Sequence, residues 1–199
     1  MLGDISAAQF LSEYWQKKPL LIRGALPDWS SPVEPDELAG LALEHEVESR
    51  LVLENGISPW EVRHGPFAED TFTQLPESDW TLLVQGLDLW VPEVATLLDH
   101  FDFLPRWRLD DVMASFAVPG GSVGTLFDHY DLFLLLVVVQ RRWQFVAACD
   151  DTTALLYGAD LKILENFRAQ DECVLEPGDM LYMPPLVSHW GVAETECVT

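Results

Sequence analysis

The spacing of apolar residues predicts helices in the first half of the chain. Residues 7–15 place Phe10, Leu11 and Tyr14 at helical intervals, and Pro35 with the acids after it suits the first turn of a second helix. This second helix is predicted to span residues 35–43, and residues 80–90 and 93–101 also have helical spacing. Pro92 separates the last two segments and is expected to break the helix there.

Alternating and continuous apolar runs predict strands, which become dominant from Trp107 onward. The first half has one strand at 19–23 and a hairpin formed by "SRLVLE" and "WEVRHGPF". The later strands lie in "ASFAVPGGSVG", "YDLFLLLVVV", "RRWQFVAA", "ECVLEPGDMLYMPP" and "HWGVAE", between Pro/Gly turns. We therefore expect an α+β chain, mainly β, with helices before an antiparallel sandwich or barrel.

Composition narrows the class of protein. The chain has 199 residues, of which 49% are hydrophobic, and this is enough for one folded domain. Its 33 acidic and 11 basic residues give a formal charge of −22, which repels nucleic acid and attracts basic proteins, although solubility explains it equally well. The apolar runs are too short for a membrane span. Three cysteines without CxxC spacing indicate a reduced, cytoplasmic protein.

Asp128 and His189 are the strongest candidates for a metal site. Asp128 lies beside a predicted strand, and His189 follows "PGDMLYMPP", a turn, strand and stop that hold it at a strand end. Together they supply two of the three ligands of a 2-His-1-carboxylate iron site. Because side chains alternate along a strand, the third ligand is expected at position 126, which is Leu126. His129 points to the opposite face unless a bulge re-aims it, so the residues alone predict a half-site or a polar pair without a metal.

Arg141 and Arg142 end an apolar strand and carry planar donor groups that can hold a carboxylate through two parallel hydrogen bonds. Ion pairing at the surface is the alternative for both residues. The tryptophans, together with Tyr130 and Tyr182, are candidates for the lining of a pocket, with packing in a β core as the alternative.

Segments spread over nearly the whole chain carry a family resemblance. They are "YWQKKPLLIRG", "SPVEPDELAGLALEHEVESRLV", "WEVRHGPF", "WTLLVQGLDLW", "LPRWRLDDVMASFAVPGGSVG", "DHYDLF", "RRW" and "LEPGDMLYMPP" followed by His189. In these segments the sequence resembles the bacterial ribosomal oxygenases of the JmjC/cupin type, specifically the ribosomal protein L16 arginine 3-hydroxylases. The resemblance implies a double-stranded β-helix that uses Fe(II), 2-oxoglutarate and O2 to hydroxylate an arginine of a basic ribosomal protein. The charge of −22 fits such a partner.

The resemblance assigns site residues position by position. The family's His-x-Asp motif falls on Leu126 and Asp128, and its distal histidine falls on His189. The arginine that binds the far carboxylate of 2-oxoglutarate falls on Arg141. Asp128 and His189 are thus the expected metal ligands, and His129 is a poor substitute for the ligand that Leu126 replaces. Losing one ligand should weaken Fe(II) binding and the turnover of 2-oxoglutarate.

Further departures from the family pattern affect the expected organisation. The apolar segment 136–139 replaces a polar, glycine-containing turn, and its β-branched side chains should stiffen that turn near Arg141. We expect one domain over residues 1–199, with a helical part to about residue 106 and a β-helix core from about residue 107. The family's C-terminal dimerisation region, through which its members form homodimers, and its winged-helix region are not expected here. A non-catalytic cupin-like module that recognises a basic protein is the alternative function.

Overall fold

The computed structural model describes residues 1–146, 149–150 and 152–199, which form a mainly β fold. The α-helices are α1 (Ala7–Glu13), α2 (Pro35–Leu41) and α3 (Pro92–Ala95), and 3-10 helices cover Phe72–Gln74, Leu87–Leu89, Thr96–Phe101 and Arg106–Arg108. The strands are β1 (Leu20–Ile22), β2 (Ser49–Asn55), β3 (Pro59–His64), β4 (Trp80–Val84), β5 (Ala114–Ala117), β6 (Leu132–Leu135), β7 (Arg141–Val146), β8 (Asp171–Leu175), β9 (Met180–Met183), β10 (Ser188–Ala193) and β11 (Cys197–Val198).

Capping residues explain where the first two helices begin. The Ser6 hydroxyl accepts a hydrogen bond from the Gln9 backbone N–H at 3.1 Å, and Phe10 on the inner face of α1 is fully buried. At α2, Glu34 and Glu37 cap each other reciprocally around a proline in the first turn. The helices predicted at 7–15 and from residue 35 are confirmed, although α1 ends two residues early.

The helix predicted at residues 80–90 is wrong. This segment forms β4, which is followed by Gly86 at φ +63° and by the 3-10 helix Leu87–Leu89. All five residues of β4 are buried, because β4 lies between β2 and β5 in the middle of a sheet. A strand covered on both faces is a continuous apolar run, which periodicity cannot distinguish from a buried helix. The helical character predicted at 93–101 is confirmed by α3 and the 3-10 helix that continues it.

The strands pair into three antiparallel sheets in the described residues. Two are three-stranded, with the orders β1-β9-β6 and β10-β7-β8, and the third has the order β11-β5-β4-β2-β3. One hydrophobic cluster joins side chains from both three-stranded sheets, including Leu181 and Met183 of β9 with Trp143 of β7 and Leu175 of β8. These two sheets therefore pack face to face, and Arg141 and His189 lie on β7 and β10 respectively.

The five-stranded sheet covers a second core beneath α2 and α3. It contains β2, β3 and β4 as well as β5 and β11, so strands from both sides of the predicted division near residue 106 share one sheet. The division itself remains a prediction. Residues 147 and 148, the end of the predicted strand "RRWQFVAA", lie outside the described residues. No helix in the part of the chain that the structure describes is long and apolar enough to cross a membrane.

Candidate active site

Leu126 and His189 are directly opposed across an antiparallel bridge. The Leu126 N–H donates to the His189 carbonyl at 3.2 Å, and the His189 N–H donates to the Leu126 carbonyl at 2.9 Å. Residues that exchange both backbone hydrogen bonds project their side chains to the same face. The side chain at position 126 is therefore a direct neighbour of the imidazole of His189, which is only 5% exposed.

Asp128 completes a pair with His189. Its Oδ2 lies 3.6 Å from Nε2 of His189, and its backbone carbonyl accepts a hydrogen bond from Leu186. The other ring nitrogen, Nδ1, lies 3.2 Å from the Val187 carbonyl. When Nδ1 donates to this carbonyl, the lone pair of Nε2 faces the carboxylate, an arrangement that suits a shared cation. Burial lowers the pKa of His189, although Asp128 acts to raise it. The lowered pKa favours the neutral imidazole, which is the form that can bind a metal.

No third protein ligand joins this pair in the part of the chain that the structure describes. Among the described residues no group of three or more His, Cys, Asp or Glu side chains is close enough to hold a metal ion. His129 is exposed, and its ring packs against Phe127 with the ring centroids 5.7 Å apart. Leu126 offers only an aliphatic side chain at the remaining position. The donor set thus fits two ligands of an iron site and does not fit a complete 2-His-1-carboxylate centre.

Arg141 is a buried cation on the strand next to His189. It is 2% exposed, and its Nη1 donates to Ser115 Oγ at 3.2 Å and to Thr199 Oγ1 at 3.1 Å, while Nη2 donates to the Gly191 carbonyl at 3.4 Å. Burial lowers the pKa of Arg141. It forms no ion pair with any residue that the structure describes. A buried guanidinium with only neutral acceptors has its positive charge poorly balanced, so the surroundings of Arg141 favour a bound anion.

Arg142 has the opposite orientation. It faces solvent and pairs with Glu194 at 2.8 Å and with Glu172 at 3.6 Å. The two arginines that were equivalent candidates in the sequence therefore differ, because neighbouring residues of a strand point to opposite faces. Arg142 therefore forms surface ion pairs, whereas Arg141 lies in the protein interior.

The two candidate tyrosines also separate. Tyr182 is fully buried and donates to Asp131, so it is a packed core residue. Tyr130 lies near Asp128; desolvation and this carboxylate raise the pKa of its phenol to about 12. Of the two, Tyr130 is the one at the candidate site.

Trp143 lies beside Arg141 and His189, and the sequence named it only as one of the tryptophans that are candidates for a pocket lining. The Arg141 guanidinium lies 4.9 Å from the Trp143 ring centroid, and the His189 ring centroid lies 5.8 Å from the same centroid. Positions 141 and 143 share a face of β7, and this alternation is the signal that separates Trp143 from the other tryptophans. Sequence reasoning missed Ser115 and Thr199, and their distance along the chain gave no signal.

The comparisons with known proteins identify the family. A family model described as the JmjC domain matches residues 96–199, just over half of the chain. The chain belongs to the JmjC domain family. This JmjC chain is 42% identical over 192 residues to a "Probable ribosomal oxygenase" of Haemophilus influenzae, covering 96% of the chain and 47% of that protein. It is 42% identical over 184 residues to the "Ribosomal protein uL16 3-hydroxylase" of Escherichia coli, covering 92% of the chain and 48% of that protein.

Solved structures agree with this JmjC assignment. The X-ray structure of Escherichia coli YcfD matches with a TM-score of 0.89 at 39% identity, over 98% of this chain and 51% of that one. The ribosomal oxygenase YcfD in complex with cobalt and 2-oxoglutarate matches with a TM-score of 0.85 at 39% identity, over 98% and 50% of the two chains. These matches confirm the family and the cupin-type β fold expected from the sequence. The JmjC chain spans about half the length of the curated relatives it matches.

Proposed function

We propose that this chain carries the fold of a 2-oxoglutarate-dependent hydroxylase that acts on an arginine of a ribosomal protein, with metal binding weakened by Leu126. The buried Arg141, which has no anionic partner among the described residues and lies on the strand beside His189, is the observation that carries the proposal. In this proposal Asp128 and His189 hold Fe(II), and Arg141 binds the distal carboxylate of 2-oxoglutarate.

The proposed substrate is a basic ribosomal protein of the uL16 type. One relative is named as a hydroxylase of that protein, and the formal charge of −22 complements a basic partner. A substrate of this kind supports a cytoplasmic location as part of the proposal.

Replacing Leu126 by histidine tests the metal site. The bridge to His189 directs this side chain toward the Asp128–His189 pair, so Leu126→His should tighten Mn(II) binding in the presence of 2-oxoglutarate by about tenfold or more. Isothermal titration calorimetry measures the change. Leu126→Phe is the matched control, because it supplies a planar ring without a donor atom. Tight Mn(II) binding by the unmodified chain would contradict the proposed weakening.

Hydroxylation is measured separately, by mass spectrometry of uL16 incubated with Fe(II), 2-oxoglutarate and O2. We expect little or no gain of one oxygen atom with the unmodified chain and a clear gain with Leu126→His. Absence of hydroxylation by Leu126→His, despite restored metal binding, would argue against the hydroxylase proposal.

A binding module without catalysis is the second candidate. It is favoured by one observation, the lack of any three-ligand cluster in the described parts of the chain. Binding of uL16 by both the unmodified chain and Leu126→His, with no hydroxylation by either, would support this candidate.

A further inference from the structure

A cavity of about 510 Å³ lies between α2 and the five-stranded sheet. The start of α2 forms one wall of this α2 cavity, and side chains of β4 and β5 form its floor. Phe72 and Glu196 close it at the sides. The volume falls within the range of small-ligand sites, about 300–1,000 Å³, so the cavity can admit one long side chain with the backbone next to it.

The α2 cavity is separate from the candidate active site. Leu82 of β4 lies directly opposite Phe116 of β5, and both side chains line the cavity. Ser115, the residue before Phe116, accepts a hydrogen bond from the buried Arg141. Because neighbouring residues of a strand point to opposite faces, the cavity and Arg141 lie on opposite faces of the five-stranded sheet.

Aromatic rings provide the floor of the α2 cavity. The ring centroids of Trp80 and Phe116 are 5.7 Å apart, and the two rings meet edge to face. The Trp80 indole N–H already donates to the Pro76 carbonyl at 2.7 Å, so the floor presents ring surface and no free indole donor. Phe72 and Phe116 are only partly buried. Exposed ring faces of this kind attract cations and pack well against aliphatic chains.

The rim of the α2 cavity is negative. Its charged lining residues are Glu34, Asp36 and Glu196, all of which are exposed, and none of them forms an ion pair within the described ranges of the chain. Helix capping accounts for Glu34, which accepts a hydrogen bond from the backbone of Glu37. It does not account for Glu196, which lies just before β11 and faces the same cavity from the sheet side.

We propose that the α2 cavity is a docking site for an arginine side chain of a basic protein partner. A guanidinium is planar and weakly hydrated, so it stacks on aromatic rings while its N–H groups donate to carboxylates. The floor and the rim of the cavity supply these two kinds of contact, and the formal charge of −22 attracts a basic partner.

This inference takes the identity of the partner, uL16, from the proposed function, and it does not depend on metal binding or hydroxylation. A partner that occupies the cavity contacts the chain on the face of the sheet away from Arg141. The contact therefore adds affinity and takes no part in the chemistry.

A titration with N-acetyl-arginine amide, followed by nuclear magnetic resonance, tests the cavity on the unmodified chain. The methyl signals of Ala39 and Leu82, which line the cavity, should shift with a dissociation constant of about 1–10 mM. N-acetyl-citrulline amide is the matched control, since it has nearly the same shape and no charge, and it should bind about tenfold more weakly or not at all. Absence of the shift, or equal shifts with both compounds, would overturn the inference. Tighter binding of N-acetyl-lysine amide would overturn the choice of arginine.

Two pairs of substitutions test the partner by calorimetry with uL16. Asp36→Asn combined with Glu196→Gln removes two charges from the rim and should weaken uL16 binding by about three- to tenfold. Glu46→Gln combined with Glu93→Gln is the control pair, because both acids are exposed and lie outside the cavity. It changes the net charge equally and should weaken binding less than about twofold. Circular dichroism establishes that each variant folds.

The outcomes distinguish this inference from the proposed function. Equal weakening by both pairs would overturn the inference in favour of a general charge effect, and it would leave hydroxylation by Leu126→His to be judged separately. Failure of the unmodified chain to bind uL16 would overturn the proposed substrate, and the titration with N-acetyl-arginine amide would then decide the inference alone. Shifts of the Ala39 and Leu82 signals on dilution without any ligand would show that a second copy of the chain covers the cavity, which would also overturn the inference.

Discussion

Trp143 determines which residue can stand at position 191. The indole lies where the side chain of residue 191 would begin, so glycine is required there by close packing and not by backbone conformation. The same indole lies beside both Arg141 and His189. A residue without a side chain thus fixes the orientation of one that belongs to the candidate site.

Gly191→Ala should therefore lower the free energy of unfolding by about 1–3 kcal/mol, because its methyl group would lie 2.6 Å from the Trp143 ring. Chemical denaturation measures the change. Gly40→Ala is the control: a Cβ atom there meets nothing within 4 Å, and the helical position gains about 0.5–1 kcal/mol from alanine. Equal stability of Gly191→Ala and the unmodified chain would show that Trp143 is not packed as described.

The connection between β6 and β7 contains a strained residue. Leu136 is fully buried, and Val137 donates to the Val198 carbonyl at 3.1 Å, so the start of this connection is fixed to its neighbours. Val139 then adopts φ +63°, a left-handed conformation that β-branched residues rarely accept. The side chains of Val138 and Val139 are each 42% exposed and gain little from burial. At Val138 and Val139 little energy is gained from packing, and the backbone of Val139 is strained.

Val139→Gly should raise the free energy of unfolding by about 1 kcal/mol, since relief of the left-handed strain exceeds the added entropy of the unfolded chain. Thermal unfolding followed by circular dichroism measures this change. Val138→Gly is the paired control, because Val138 is bridged to Val198 and does not have a positive φ. That substitution should lower stability by about 0.5–1 kcal/mol. A loss of stability in both variants would contradict the strain at Val139.

Over the whole molecule, acidic residues outnumber basic ones by 33 to 11. A charge of this size acts over the distance at which a partner approaches, and it affects the rate of encounter more than the strength of any single contact. Arg141 is an exception to this surface, since it is a cation placed inside the β core. The chain therefore has exposed negative charges that water and salt screen, and one buried positive charge at Arg141 that they screen much less.

The exposed and the buried charges should respond differently to salt. Raising ionic strength from about 0.05 M to about 0.5 M should slow association with uL16 by about tenfold or more, because exposed charges are screened. Binding of 2-oxoglutarate at the buried Arg141 should weaken much less over the same range. Stopped-flow association and calorimetry give the two values. An association rate that does not change with salt would exclude charge as the source of partner attraction.

How much the sequence could predict depends on the range of the interactions. Strand alternation was enough to place position 126 on the face of Asp128, and the structure puts Leu126 opposite His189. The helical reading of residues 80–90 failed because burial on both faces of β4 is a property of the whole sheet. The contacts of Ser115 and Thr199 with Arg141 could not be predicted, since they join positions 26 and 58 residues apart along the chain.

The bridge between Leu126 and His189 is made only by backbone atoms. The placement of position 126 is therefore independent of which side chain occupies it. Different metal-ligating side chains at this position would all lie beside His189. Histidine would supply a nitrogen, aspartate an oxygen and cysteine a thiolate, and each would favour a different metal. A single substitution at position 126 would thus change which metal ion the site prefers and leave the rest of the fold unchanged.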